Sequence, residues 1–274
     1  MLNSRSAAQL AGRGARRLVP ALVPPFVHVA PSVLVLGQFL PDSAPARRTL
    51  PGGLCRWRGP DTGRREVALT FDDGPDPSTT PEILQLLGAA GMRATFFCLG
   101  RQLEREPDLV REIAASGHEV ATHGFCHAHH LVRTLRYVTK DLARALEVHE
   151  KLGPSCRPVH FRPPYGQISA ASAVASRLAG LDIVLWSAWG REWRDRDPVS
   201  VAARIKRRLE PGAIVLLHDS DATSPPGTAA IARRALVLVL EELERRELQS
   251  VPLSELVRPP AGYDPRQALR TVTN

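Results

Sequence analysis

Four absences narrow the reading of this chain before any motif is considered. None of its four cysteines, Cys55, Cys98, Cys126 and Cys156, stands in a paired spacing such as C-x-x-C. Cysteine therefore gives no thiol signature and leaves the redox compartment open. No clean apolar run is long enough to span a bilayer. Leu18 to Leu40 lacks Asp, Glu, Lys and Arg, but Pro20, Pro24, Pro25, Pro31 and His28 interrupt it, and only Ser32 to Leu40 is unbroken. No internal repeat occurs, and compositional bias ends with the Pro/Arg-rich first 65 residues. Net charge, finally, is almost missing from most of the molecule. The formal charge is +8, but residues 1–66 carry +7 of it, with ten arginines against Asp42, Asp61 and Glu66. The remaining 208 residues are at +1, which argues against a nucleic-acid groove in the body of the protein.

What is present divides the chain in three. Residues 1–65 form a basic arm, expected to be poorly structured. Arg13, Arg16 and Arg17 precede its uncharged stretch, the layout of a signal or anchor segment, and Ser43-Ala44-Pro45-Ala46 is similar to a small-residue cleavage site. A cell-envelope or extracytoplasmic location is thus favoured over a cytoplasmic one, with the arm able to touch an anionic membrane or wall polymer. Residues 66–257 form the expected domain and 258–274 a tail. Nothing in the chain sets an oligomeric state.

Past Arg65 the pattern is regular. Apolar, β-branched or aromatic runs at Val67–Phe71, Ala94–Leu99, Glu119–Thr122, Val159–Arg162, Asp182–Ser187, Ala213–Leu217 and Gln249–Val251 predict strands. Helical periodicity lies between them: Ile83, Leu84, Leu86 and Leu87; Leu103, Leu109, Val110 and Ile113; Leu135, Val138, Leu142, Leu146 and Val148; and Ala229 to Leu248. Pro81 and Pro198 suit first helical turns, with Thr80 and Asp197 as caps. Such alternation implies an α/β fold with a parallel sheet, and with this many units the sheet is expected to close into a barrel. Loops leaving the C-terminal ends of parallel strands form the active face. Chemically capable residues follow five of the seven runs: Asp72-Asp73, His123, Arg162, Glu192 and His218-Asp219.

Thr70-Phe71-Asp72-Asp73-Gly74 is the most informative stretch. Adjacent carboxylates at the end of a buried run repel and lose hydration, and a metal ligand beside a proton acceptor is the usual resolution. Asp-Asp-Gly-Pro is also an ordinary turn sequence. His123 and His127, four apart, can converge on one ion. The zinc-protease pattern carries Glu after its first His, whereas this chain has Gly124, so any base must come from elsewhere. The double aspartate supplies it together with a third ligand. Two His and one carboxylate leave an open position, the pattern of a catalytic site. His160-Phe161-Arg162-Pro163-Pro164-Tyr165-Gly166 is a loop stiffened by two prolines, and His218 ends the run Ile214–Leu217.

In this order the pieces resemble the polysaccharide deacetylase family (carbohydrate esterase family 4, the NodB-homology domain) over residues 66–257. Thr70–Gly74 is similar to its first motif, His123 and His127 to the second, Arg162 to Tyr165 to the third and Leu216-x-His218 to the fifth. The resemblance implies a distorted barrel of seven or eight (β/α) units. Two departures stand out. Gly124 replaces a usual Ser or Thr, and the lost hydroxyl is expected to loosen the metal site. The fourth motif, usually Asp-x-x-Asp-Trp, reads Trp189-Gly190-Arg191-Glu192-Trp193. That keeps a carboxylate in Glu192 and adds indole faces suited to a sugar ring.

The resemblance implies removal of N-acetyl groups from the amino sugars of a polysaccharide such as peptidoglycan or chitin, releasing acetate. Asp73, His123 and His127 would hold a divalent ion, with Zn²⁺ favoured and Co, Ni or Mn also suited. Asp72, oriented by Arg162, would be the base. The Tyr165 N–H would hold the oxyanion, and His218, supported by Glu192, would be the acid. Trp189, Trp193 and Leu216 would contact substrate. Three readings compete: a metal amidase or esterase on a non-sugar substrate, a non-catalytic glycan-binding module, and an iron oxygenase with two His and one carboxylate.

Overall fold

The computed structural model describes residues 55–60 and 62–258. The signal or anchor segment and the tail after Arg258 lie outside the described residues. The described elements, in chain order, are β1 (Glu66–Asp72), α1 (Thr80–Ala89), β2 (Ala94–Cys98), α2 (Gly100–Arg105), α3 (Pro107–Ala115), β3 (Glu119–Thr122) and α4 (Leu135–Leu152). They continue with β4 (His160–Phe161), α5 (Ala170–Leu178), β5 (Asp182–Ile183), β6 (Ala188–Trp189), α6 (Pro198–Lys206), β7 (Ile214–His218), α7 (Thr228–Arg245), β8 (Gln249–Ser250) and α8 (Leu253–Leu256). Every strand pairing is parallel, in the order β5-β4-β3-β2-β1-β7-β6, with β8 wedged onto the start of β1. Among the described residues no helix is long and apolar enough to cross a membrane.

β1 is buried on both faces, as a central parallel strand must be. Its alternation sorts the core. Val67, Leu69 and Phe71 join the layer under the helices, with α7 residues such as Leu236 and Val239. Ala68 joins the inner cluster of Phe97, Ala121, Phe161, Ile214 and Leu216. The period of two therefore carries Thr70 and Asp72 to the inside of the curl, where the fully buried Arg162 lies.

The expected strand at 182–187 holds only the two-residue β5 and a bridge at Val184, and the second strand, β6, starts just past it at Ala188. The run begins on β4 through β5 and ends on β7 through β6. Between them Arg56 N–H donates to Ile183 O (2.9 Å) and Leu185 N–H to Arg56 O (2.6 Å), while Gly59 N–H donates to Gly212 O (2.8 Å) just before β7. A segment assigned by charge to the arm thus fills the gap between β5 and β7. The sheet is a curled, incomplete barrel whose two ends come from one continuous stretch.

Two helix expectations need correction. The apolar face from Leu103 to Ile113 is broken into α2 and α3 because Pro107 starts a new helix. Thr80 does not cap α1 but is its first residue. Its hydroxyl accepts from Asp76 N–H (2.8 Å) and donates to the buried Asp219 (2.6 Å). Asp197 does cap α6, accepting from Val199 and Ser200 N–H at 3.1 Å each.

Candidate active site

The adjacent aspartates leave β1 in different directions for a backbone reason. Asp72 keeps the inward direction of the strand, while Asp73 takes a positive φ of 79° and turns its carboxylate out of the alternation. Arg162, at the end of β4, donates to Asp72 Oδ1 at 2.6 Å and to Thr70 Oγ1 at 2.9 Å. Its Nε donates to Val184 O (3.2 Å) and its Nη2 to Leu185 O (3.0 Å), and its guanidinium lies over the Phe97 ring at 4.0 Å. A buried cation held by four hydrogen bonds and an aromatic face keeps Asp72 in one orientation.

Asp73, His123 and His127 bring one donor atom each to within 4.8 Å of one another. Asp73 Oδ1 is 3.6 Å from Nε2 of both His123 and His127. The tautomer of His123 follows from its partner: Nδ1 lies 2.7 Å from Arg162 O, which can only accept, so Nε2 is the free lone pair. Burial lowers both imidazoles, His123 to about 3 and His127 to about 2, so they are neutral donors. Burial likewise pushes Asp73 up to about 6, against the pull of His218 and of a Thr223 hydroxyl that donates to Oδ2. Asp73 Oδ1 is buried with no hydrogen-bond partner. An orphaned carboxylate oxygen facing two imidazoles fits a divalent cation, and nothing else among the described residues satisfies it.

His218 ends β7 and meets Glu192 from the loop after β6, Nδ1 to Oε1 at 2.7 Å. Glu192 is fully buried and its second oxygen has no partner. Burial lowers the His218 pKa, but the hydrogen bond and charge of Glu192, helped by Asp73 and Asp72, overcome it and raise His218 to about 9. The variant fourth motif also builds an aromatic wall. Ring centroids are 5.7 Å apart for Trp186–Trp189, 5.3 Å for Trp189–Trp193 and 5.4 Å for Trp193–His218. Tyr165, at φ 61°, places its part-exposed ring 4.4 Å from His127 and stacks on His129.

These groups open on one cavity of about 340 Å³. Asp72, His123, His127, Tyr165, Trp189, Trp193, Leu216 and His218 all line it. Asp73 lies behind the two histidines, and Arg162 and Glu192 stand buried behind Asp72 and His218.

Two contributors were not singled out from sequence. Thr223, which grips Asp73, lies in a loop with no distinguishing spacing. Asp141 had a visible signal: it falls on the buried stripe of α4 with Val138, Leu142 and Ala145. Its carboxylate accepts from Phe125 N–H (2.8 Å) and Cys126 N–H (3.2 Å), bracing the loop that joins the two histidines. A Cβ on Gly124 (φ 82°) would lie 2.9 Å from Asp141 Oδ2. The hydroxyl missing at 124 is thus accompanied by a different brace, and the loop is not left unsupported.

Comparison with known proteins agrees with this geometry. The polysaccharide deacetylase family profile matches residues 59–184. The chain is 34% identical to a peptidoglycan-N-acetylglucosamine deacetylase of Bacillus cereus, over 76% of this chain and 95% of that one. It is 36% identical to a chitooligosaccharide deacetylase of Bradyrhizobium, over 72% and 93%. The crystal structure of a peptidoglycan N-acetylglucosamine deacetylase in complex with a naphthalenyl N-oxidanyl-benzamide superposes with a TM-score of 0.69 at 28% identity, covering 75% of this chain and 94% of that one.

Proposed function

Since this chain belongs to the polysaccharide deacetylase family, we infer that it is a metal-dependent hydrolase that removes N-acetyl groups from the amino sugars of a polysaccharide and releases acetate. The observation that carries this reading is the orphaned Asp73 Oδ1 facing His123 and His127, which line one cavity with Asp72 and His218, each of these backed by its buried partner, Arg162 or Glu192.

Asp73, His123 and His127 would hold the ion. Mixed imidazole and carboxylate donors favour Zn²⁺, and Co, Ni and Mn accept them too. A bound ion supplies a Lewis acid that polarises the acetamide carbonyl and acidifies water. Asp72, oriented by Arg162, takes the proton of the attacking water through its carboxylate. The oxygen charge that develops as water adds to the carbonyl carbon accepts a hydrogen bond from the backbone N–H of Tyr165, the donor we assign to it. His218 carries its proton at neutral pH because of Glu192. It delivers that proton to the nitrogen as the carbon–nitrogen bond breaks, since an amide anion departs too slowly by itself. The products are acetate and a free amino sugar.

Trp189 and Trp193 present indole faces where a pyranose ring would lie, with Leu216 behind them, and this favours a sugar over a small non-sugar amide. We place the protein at the cell envelope, outside the cytoplasm, where glycans of the kind its relatives act on are found. The basic arm upstream of the domain would hold it near an anionic membrane or wall.

The test is acetate release from N-acetylglucosamine oligomers with and without chelator. Chelation is expected to abolish release and Zn²⁺ or Co²⁺ to restore it. Full turnover by metal-free protein would overturn the mechanism.

A further inference from the structure

The active cavity has a strongly basic neighbour. After β6 the chain folds back tightly at Arg191, which takes a φ of 64° and whose carbonyl accepts from Arg194 N–H (2.9 Å) and Asp195 N–H (3.0 Å). The turn sets Arg191 and Arg194 on a wall shared by two cavities. One is the cavity of His218; the other, of about 280 Å³, is lined by Arg191, Arg194, Asp195, Arg196 and Arg204.

Among the described residues that line it, four are arginines and one is a carboxylate already committed; Arg191 itself packs over the Trp189 ring at 4.7 Å. Asp195 Oδ1 accepts from Asp197 N–H at 3.0 Å, and Oδ2 accepts from Arg204. Arg204 also donates to Gly190 O at 3.0 Å, which fixes the base of the loop. Arg196 donates to Pro226 O at 2.8 Å, tying the loop to the segment after Thr223–Pro225, which walls the active cavity. The framework is therefore pinned, and the exposed Arg194 stands at its rim toward the active cavity. Gathering like charges on one wall costs Coulomb energy. Hydrolysis of a neutral acetamide does not offset that cost, because the charges it develops are already assigned to Asp72, His218, the Tyr165 N–H and the bound ion.

We propose that this cluster is a carboxylate subsite: the glycan carries an acid group next to the sugar in the active cavity, and Arg194 with its neighbours binds that group. Guanidinium forks match carboxylates with charge-assisted, two-pronged hydrogen bonds, which gives orientation as well as attraction. The subsite rests on the deacetylase reading above and sharpens it. An acidic glycan would fill both cavities, whereas a neutral chitin-like oligomer would fill only the first. The carboxylate has two sources on such a polymer, a lactyl ether on the sugar itself or a peptide stem attached to it.

The experiment measures kcat/KM for acetate release by the metal-loaded full chain on four oligomers of equal length. One contains only N-acetylglucosamine. The second alternates it with N-acetylmuramic acid, the third is the same with the lactyl carboxyl amidated, and the fourth carries peptide stems. At low salt the acidic oligomer is expected to exceed its amidated twin about tenfold, with the advantage fading as salt screens exposed charge. If the advantage appears only with stems, the acid is that of the peptide, and the comparison becomes stems against amidated stems. Arg194→Gln should collapse the acid-to-amide ratio toward one through KM, and Arg194→Lys should recover part of it. A wild-type enzyme that treats acid and amide alike, with and without stems, would overturn the subsite. So would an Arg194→Gln variant with an undiminished ratio. Absence of acetate from all four oligomers would instead overturn the deacetylase reading and the subsite with it.

Discussion

Asp72 and His218 are register partners on the adjacent parallel strands β1 and β7. Their alternation with Ala68, Thr70, Ile214 and Leu216 turns both toward the inside of the curl. The proposed base and acid are thus held by one ladder, and Asp219 N–H extends it with a bond to Asp72 O at 3.3 Å. What separates their roles is the buried partner behind each: a guanidinium behind Asp72 and a carboxylate behind His218. Opposite partners give neighbouring groups opposite duties.

The two aspartates should therefore fail in different ways. Asp72→Asn is expected to keep its metal by elemental analysis yet lose about 10²–10⁴-fold in turnover, the usual worth of a general base. Asp73→Asn should weaken metal binding, because the orphaned Oδ1 is then part of a neutral amide. The reverse pattern would exchange the assignments.

His218 predicts the basic limb of the pH–rate profile. Glu192, helped by Asp73 and Asp72, overcomes burial and raises its pKa to about 9, so the acid form persists through neutral pH and is lost as pH rises through that value. Glu192→Gln keeps the shape but removes the charge, leaving burial to lower the pKa, and the limb should move down toward 6.5 or below with metal content intact. An unmoved limb would show that the carboxylate charge is not what keeps the proton. Asp219 is no substitute, since it is bound to Gly74 N–H (3.1 Å) and the Thr80 hydroxyl. His218→Ala should harm amide substrates far more than activated acetate esters, which need no protonated leaving group.

Much of this was legible in the sequence because parallel α/β folds put strand ends together. Asp72 and His218 end strands, Asp73, His123, Arg162 and Glu192 follow them, and the structure gathers all six at one end of the sheet. The early end of the expected strand Asp182–Ser187 and the restart at Ala188 were not legible, because a partner switch along one stretch leaves no trace in alternation. The bracing by residues 56–59 was hidden too, since their arginines read as arm. Asp141 could have been found: a carboxylate on an apolar helical stripe must have a buried partner.

That brace gives a third prediction. Asp141 accepts two backbone N–H groups between the metal histidines, so Asp141→Ala should orphan both and weaken metal affinity about 10–100-fold, as loss of an outer support does. Asp141→Asn, which keeps one good acceptor, should lose less. Gly124→Ser, which would restore the hydroxyl typical of the resemblance, is expected to destabilise rather than tighten the site. Position 124 has a positive φ, and its new Cβ would press on Asp141. A lower melting temperature with no gain in metal affinity is the result expected; tighter metal binding would mean that the loop can repack around the serine.

The aromatic wall gives the last. Trp189 pairs with Leu216 in the register of β6 and β7, and Trp193 meets His218 edge-on, so both indoles are fixed by the same elements that hold the proposed acid. If they stack on a sugar, Trp189→Ala or Trp193→Ala should raise KM for longer oligomers while a small acetate ester is hardly affected. Trp193→Ala has a second consequence that separates it from Trp189→Ala. Its ring lies 5.4 Å from the His218 imidazole, and removing it opens the acid to water, which should ease the burial that opposes protonation. The basic limb should then rise slightly in Trp193→Ala and stay in place in Trp189→Ala. Equal losses on oligomer and ester in both variants would mean that the indoles support the loop of Glu192 instead of contacting substrate.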